Sequence, residues 1–420
     1  MTGQPVLRLS PLPAFLSDPA LVAVLTALPT ARIVGGAVRD ALAGRPVADI
    51  DLATPDRPEA VMAALSAAGI RAVPTGLAHG TVTAVVDGHG FEITTLRLDV
   101  ETDGRHAVVA FTDDWREDAA RRDFTINAMS MSADGAIYDW FGGVADLRAR
   151  RVRFVGDPMQ RIAEDYLRLL RFFRFQARYG DHAPDAATEA AVRAGVPGLA
   201  GLSVERIWHE LKRILAAPDP IASVALMDRL GVLAAVIPEG TDVEALRRLV
   251  ARGAPVDPIL RLAALLAGTA DADAFATRLK LSTADRARLG ALRHGPVPQP
   301  DDDDATLRRM LADHETAILV DRTWLAQDGD GRWDEVRSRL RALPRPVFPL
   351  EGRDVVALGV APGPAVGRLL KAMREWWRDG GCLAGPEACR AELMRRSGMT
   401  TAGGRTLREP PVAPRSSPKT

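Results

Sequence analysis

Two aspartates one residue apart, in Ala48-Asp49-Ile50-Asp51-Leu52, are the first side chains in this sequence whose spacing bears on chemistry. A strand's period of two sends Ile50 and Leu52 towards a core and both carboxylates to the opposite face. Acids so placed can hold a pair of Mg²⁺ ions, about 3.5–4 Å apart, that clamp the attacking and leaving oxygens of a phosphoryl transfer. The same spacing also occurs on ordinary solvent-facing strands and in enzymes that hold a metal-bound nucleotide sugar. A short distance upstream, Gly35-Gly36-Ala-Val-Arg39-Asp40 leads from an apolar run into a helix that ends near Gly44. Backbone N–H groups at such a turn can approach a phosphate, and Arg39 adds charge one turn in. Alone this is also a common tight turn; followed closely by Asp-x-Asp it points to a triphosphate cradle and its metals in one small unit. Glu92 projects from Phe91-Glu-Ile-Thr opposite Phe91 and Ile93, either as a third metal-shell acid or as an exposed strand glutamate.

Further along, Asp157 as N-cap and Pro158 as first helical residue predict a helix running towards Gly180. It carries Glu164, Asp165, Arg168, Arg171, Arg174 and Arg178. Asp165 and Arg168 then lie one turn apart on one face. Cytosine and adenine both present an exocyclic amine beside a ring-nitrogen acceptor, whereas guanine and uracil reverse the order. A carboxylate accepting from the amine and a guanidinium donating to the ring nitrogen would therefore admit CTP and ATP without a template. The alternative is an intrahelical ion pair contributing about 0.3–0.5 kcal/mol. Residues three apart drift by about 60° per step, which puts Arg174 roughly half a turn from Asp165. Arg121-Arg122-Asp123, taken alone, reads equally as a surface salt bridge. Between Arg148 and Arg178 nine arginines face three acids, the best local surface for an RNA end.

The elements that must hold these groups fall into two regimes. Up to about residue 150, runs at Ala31 to Val34, Asp49 to Leu52, Thr81 to Val86 and Phe91 to Leu96 read as strands. The last two, joined by Asp87-Gly88-His89-Gly90, form a hairpin, which favours an antiparallel or mixed sheet. Beyond about residue 155 the period is helical, with Gly and Pro breaks at Gly180, Pro197-Gly198, Pro218 to Pro220, Pro255 to Pro258 and Pro296 to Pro300. The expectation is an α+β head over residues 1–150, helical segments over 151–220, 221–300 and 301–400, and a disordered tail over 401–420. Asp301 to Asp304 suits an acidic helix start rather than a metal site. Gly359 to Gly367 opens a helix, and Trp376-Trp377 suits core packing plus one surface ring.

Composition sets the outer limits. Lys+Arg and Asp+Glu are both 54 in 420 residues, so a nucleic-acid surface must come from local clustering rather than a net excess. Only four of the basic residues are lysine. Cys382 and Cys389 have no further ligands at metal spacing, and no run approaches the roughly 20 apolar residues of a membrane span. Without a leader-like N-terminus, the expected compartment is cytoplasmic.

Four motifs in order, Gly-Gly-Ala-Val-Arg-Asp (35–40), Asp-Ile-Asp-Leu (49–52), Arg-Arg-Asp-Phe-Thr-Ile-Asn-Ala (121–128) and Glu-Asp-Tyr-Leu-Arg (164–168), resemble those of the class II tRNA nucleotidyltransferases. That family comprises CCA-adding enzymes and bacterial poly(A) polymerases with a polymerase-β-like head. The resemblance spans about residues 30 to 215 and continues more faintly to about 380. It implies that Asp49 and Asp51 bind catalytic Mg²⁺, that Gly35, Gly36 and Arg39 meet the triphosphate, and that Arg122 stabilises departing pyrophosphate. It implies further that Asp123 checks the ribose 2′-hydroxyl and that Asp165, Arg168, Arg171 and Arg174 bind the nucleotide. The implied partners are the tRNA 3′ end, CTP and ATP. Thr75-Gly76-Leu-Ala-His79-Gly80-Thr81 resembles the CCA-adding version rather than the arginine-rich segment of poly(A) polymerases, and 97–121 resembles a full-length flexible loop. The implied reaction is complete CCA addition, with poly(A) synthesis or partial CC or A addition as alternatives.

Overall fold

The computed structural model describes residues 3–102, 107–327, 329 and 331–398. The expected disordered tail, 401–420, lies outside the described residues. The chain divides into two compact units, one up to Arg286 and one from Ala287 onward.

In the first unit, strands β1 (Leu7–Arg8), β2 (Arg32–Val34), β3 (Asp51–Thr54), β4 (Arg71–Gly76), β5 (Thr81–Val86), β6 (His89–Thr95), β9 (Met129–Met131) and β10 (Ala136–Asp139) form one sheet. Its order is β1-β10-β9-β2-β3-β6-β5-β4, and β7 (Arg97–Thr102) pairs separately with β8 (Ala107–Phe111). Among the described strands only β3 and β6 run parallel, so the sheet is mixed, one of the two arrangements the hairpin favoured. That hairpin turns more tightly than the sequence suggests. Val86 pairs with His89 across a two-residue loop, Asp87-Gly88, with both residues at positive φ, the turn whose twist matches the flanking strands.

One face of the sheet buries Ile33, Leu52, Val82, Ile93, Met131 and Ile137 against Leu21, Val24, Val61 and Leu65 of helices Pro19–Ala27 and Pro58–Ala67. Each large aliphatic side chain so buried contributes about 1.5–3 kcal/mol. Asp18-Pro19 and Asp157-Pro158 begin helices with the aspartate accepting backbone N–H bonds and the proline fixing the first turn. An aromatic cluster fastens the sheet to the helices that follow, with ring centroids of Phe124 4.8 Å from Phe154 and 5.0 Å from Phe175.

The helix expected from Asp157 to Gly180 is in fact two, Pro158–Glu164 and Leu167–Tyr179. Asp165 is extended at the break, with φ −154° and ψ 106°, and its Oδ1 accepts the Leu167 N–H at 3.0 Å. This local bond offers the backbone an alternative to the helix. The Tyr166 ring then packs on Gly198, where a Cβ would lie 2.2 Å from it. Beyond Phe154 the first unit is helical, apart from one isolated bridge between Thr241 and Leu266.

The second unit holds two apolar clusters, one around Leu307, Leu319, Trp333 and Leu340, the other around Val355, Met373, Trp377 and Leu393. Asp303 accepts the Thr306 N–H at the start of helix Asp304–Asp313, which accounts for the acidic run. Helix Pro364–Asp379 follows Gly363, and Trp377 is buried while Trp376 is partly so. Cys382 and Cys389 are free thiols in the second cluster. No helix among the described residues is long and apolar enough to cross a membrane.

Candidate active site

A cavity of about 840 Å³ in the first unit gathers most of the residues singled out from the sequence. Gly35, Gly36, Arg39, Asp49, Asp51, Arg122, Asp123, Asp165, Arg168, Arg171 and Arg174 all line it. Glu92 does not, but it stands directly across from Asp51 in the parallel β3–β6 pairing.

The acids lie where β3 begins. Strand pairing starts at Asp51 rather than Asp49, yet the alternation holds, with Asp49 and Asp51 exposed, Ile50 partly buried and Leu52 buried. Desolvation raises the pKa of Asp51; Glu92 and Asp49 push it the same way, while Arg122 opposes. Like charges have thus been brought together with too little protein cation to offset them. Among the described residues no group of three or more His, Cys, Asp or Glu converges as a metal cage.

The turn before the helix Gly36–Leu42 needs glycine at its first position. Gly35 has φ +66° and ψ −118°, and a Cβ there would sit 3.2 Å from Nη1 of Arg122. Arg39 is buried and aimed by three contacts. It donates to Asn127 Oδ1 at 2.6 Å, bonds both oxygens of Asp40, and lies 4.5 Å from the Tyr179 ring centroid. Asn127 passes the connection on, donating to Asp123 Oδ1 at 3.0 Å, and Asp123 accepts from Arg171 Nε at 2.7 Å. A continuous hydrogen-bonded chain therefore joins the Gly36–Leu42 helix to the Leu167–Tyr179 helix. Burial pushes the Asp123 carboxyl up, but Arg171, Asn127 and the Phe124 N–H outweigh it and hold the pKa below the usual range. Asp118 behaves likewise: burial raises it, and Arg122 and Arg121, bonded at 3.0 and 2.8 Å, bring the net shift down.

At the helix break the structure removes the single helical face expected for Asp165 and Arg168, and with it the alternative of an ion pair between them. Asp165 and Arg168 are not partners of one another. Asp165 Oδ2 accepts from Arg206 at 2.9 Å, whereas Arg168 bonds Glu164, the Arg161 carbonyl and the Arg121 carbonyl. Each is oriented by separate neighbours, and both face the cavity. Arg174 lines this cavity too, despite its angular offset, because Asp165 stands outside the helix that starts anew at Leu167. Burial lowers its pKa to about 10 although Glu210 opposes the shift. Its Nε lies 3.2 Å from Glu210 Oε2 without hydrogen-bond alignment.

Sequence reasoning quoted Asp40 and Asn127 within motifs without giving them a role, and it missed Asp118, Tyr179, Arg206 and Glu210. Glu210 carried a signal: it lies among Ile207, Trp208, Leu211 and Ile214 on the buried face of helix Val204–Leu215. An acid on an apolar stripe needs a buried partner.

Sheet, paired acids and arginine-lined cleft together define a nucleotidyltransferase. A family model described as the poly A polymerase head domain matches residues 31–153, and one described as the probable RNA and SrmB-binding site of polymerase A matches 183–243. The chain is 39% identical over 367 residues to CCA tRNA nucleotidyltransferase 1, mitochondrial, of Danio rerio, spanning 83% of each. It is 34% identical to the CCA-adding enzyme of Geobacillus stearothermophilus, spanning 83% of this chain and 88% of that one. The crystal structure of the Bacillus stearothermophilus CCA-adding enzyme in complex with CTP superposes with a TM-score of 0.72 at 28% identity, over 90% of this chain and 96% of that one. The chain belongs to the CCA tRNA nucleotidyltransferase family.

Proposed function

We propose that this protein adds C, C and A in turn to the 3′ end of tRNA, taking CTP and ATP and releasing pyrophosphate. The observation that carries the reading is the convergence on one cleft of the Asp49–Asp51 pair, the Arg39 arm and the separately oriented Asp165 and Arg168. Relatives named for this activity match over most of the chain.

Asp49 and Asp51 suit a hard divalent cation, since they offer oxygen donors only and Asp51 is already disfavoured as a bare anion. Mg²⁺ fits best, because it is commonly held by one or two carboxylates, with substrate phosphates and water completing its shell. When bound there it would lower the pKa of the RNA 3′-hydroxyl and neutralise charge on the α-phosphate. The protein's own groups do the rest. Arg39, fixed by Asn127 and Asp40, and Arg122, fixed by Asp118, meet the β- and γ-phosphates. As the 3′-oxygen bonds to the α-phosphorus and the α–β bridging bond breaks, both arginines take up charge on the leaving pyrophosphate. Asp165 accepts from the exocyclic amine and Arg168 donates to the adjacent ring nitrogen, which admits cytosine and adenine. Glu92 supports the metal shell from across β3, and Asp123, held by Arg171, meets the ribose. In domain terms, residues 1–150 catalyse, 151–220 read the base, 221–300 form a helical body and 301–400 hold the tRNA. For the compartment we keep the cytoplasm as the reading, with which two free, buried thiols are consistent.

Sequencing the nucleotides added to a tRNA trimmed of its 3′ CCA, with CTP and ATP present, tests the proposal. Addition should stop after C, C and A. A long A-tail, or a stop after CC, would replace this reading with one of the two alternatives.

A further inference from the structure

Of the nine arginines between Arg148 and Arg178, seven pair with carboxylates. Arg150 pairs with Asp181, Arg151 and Arg153 with Asp146, Arg161 and Arg168 with Glu164, Arg171 with Asp123 and Arg174 with Glu210. The other two, Arg148 and Arg178, line a second, smaller cavity of about 240 Å³ together with Arg45 and Arg150. Among the described residues no acid lines it, and its apolar wall is Leu42, Ala43, Val144 and Leu147. Arg178 and Tyr179 line both cavities, so the Tyr179 ring is a shared wall. Arg39 approaches that ring at 4.5 Å and Arg45 at 4.6 Å.

Helix capping accounts for part of this charge. The cavity lies at the C-terminal ends of helices Gly36–Leu42, Gly143–Arg148 and Leu167–Tyr179, and Arg45 Nη2 donates to the Arg178 carbonyl at 2.7 Å. Each helix end contributes at most about half a negative charge, roughly −1.5 in all. Asp181, 3.4 Å from Arg150, supplies one more. Against four guanidinium groups about 1.5 positive charges remain, in a chain whose formal net charge is zero.

We infer that this cavity is a second anion site that takes a phosphate group, placed behind Tyr179 and outside the segment that matches the RNA-binding family model. Its volume is below the roughly 300–1,000 Å³ of ordinary small-molecule sites, which suits one or two phosphate groups rather than a whole nucleotide. Arg148, Arg150 and Arg178 are exposed, so the group can belong to a larger molecule, and guanidinium forks match phosphate oxygens in pairs. Two sources offer this chemistry: the backbone of the RNA being extended, which rests on the function proposed above, and free pyrophosphate.

The test compares the wild-type protein with Arg148→Glu and with Arg71→Glu, an equal charge change on exposed strand residue Arg71 of the same unit. Arg148 makes no ion pair among the described residues and does not line the catalytic cleft, so the KM for CTP should hold. For the RNA source, the Kd for trimmed tRNA rises about tenfold in Arg148→Glu alone, and the slope of log K against log salt drops by about one. For the pyrophosphate source, tRNA affinity holds while calorimetry with pyrophosphate falls from two sites to one. Unchanged binding of both probes, or an equal loss in Arg71→Glu, overturns the inference. If the wild-type protein bound no tRNA at all, the proposed function would fail, yet the pyrophosphate titration would still decide the cavity.

Discussion

The cleft has two walls built on opposite electrostatic plans. On the sheet side, Asp49, Asp51 and Glu92 are exposed, and Asp51 is made less stable as an anion by its surroundings. On the helical side, Arg171 is bonded to Asp123, Arg168 to Glu164 and Asp165 to Arg206, while Arg174 faces Glu210 without an aligned bond. In the function proposed, one wall is left incomplete until cations and a triphosphate arrive, and the other is hydrogen-bonded beforehand. Preorganised dipoles and charges act without reorganising during the reaction, whereas a metal site that keeps open positions can take its remaining ligands from substrate. Side chains that await a ligand therefore look strained in isolation, and side chains that select a ligand look satisfied.

The sharpest way to break this comparison is Asp51→Ala. Nucleotide incorporation should fall by about 10³-fold or more, equivalent to roughly 4 kcal/mol of lost stabilisation. The melting temperature should hold or rise, because an anion repelled by Glu92 and Asp49 has been removed. A large drop in melting temperature would mean that the acids are structural. On the other wall, Arg168→Ala would remove the donor proposed for the ring nitrogen. Selectivity for CTP over UTP, read as the ratio of kcat/KM values, should fall about 10- to 100-fold, the scale of a charged hydrogen bond worth about 1.5–3 kcal/mol. If selectivity survives, the base is read elsewhere.

The incomplete wall was the more legible of the two in the sequence. Asp49, Asp51 and Glu92 follow from strand alternation, since period two fixes which side chains share a face, and the strand pairing brings Asp51 and Glu92 abreast. The hairpin around Asp87 to Gly90 likewise pointed to an antiparallel or mixed sheet, and the parallel β3–β6 pair makes it mixed. The rigid wall was harder to read because its partners come from distant segments. Asp123 and Arg171 are 48 residues apart, and Asp165 and Arg206 are 41 apart. Helical spacing suggested Asp165 with Arg168, but Asp165 caps the Leu167 N–H and breaks the helix. A helical period cannot reveal a break made by one side chain competing for a backbone bond.

The smallest effect on turnover, and the most direct check that the helical wall is assembled beforehand, comes from Asp118→Asn. Asp118 is 3% exposed and bonds both Arg121 and Arg122. With the carboxylate gone, the protein should lose about 2 kcal/mol of unfolding free energy at neutral pH. The pH dependence carries the sign. Because the folded-state pKa of Asp118 is depressed, its contribution is fully present above the unfolded value of about 3.9 and is lost as pH falls through the lower folded value. Urea unfolding of the wild-type and Asp118→Asn proteins should therefore give a constant gap from neutral pH down to about 4, closing only below that. A gap that closed near pH 6 would show that the carboxylate is not held by its arginines in the free protein, and the two walls would then be alike in waiting for substrate.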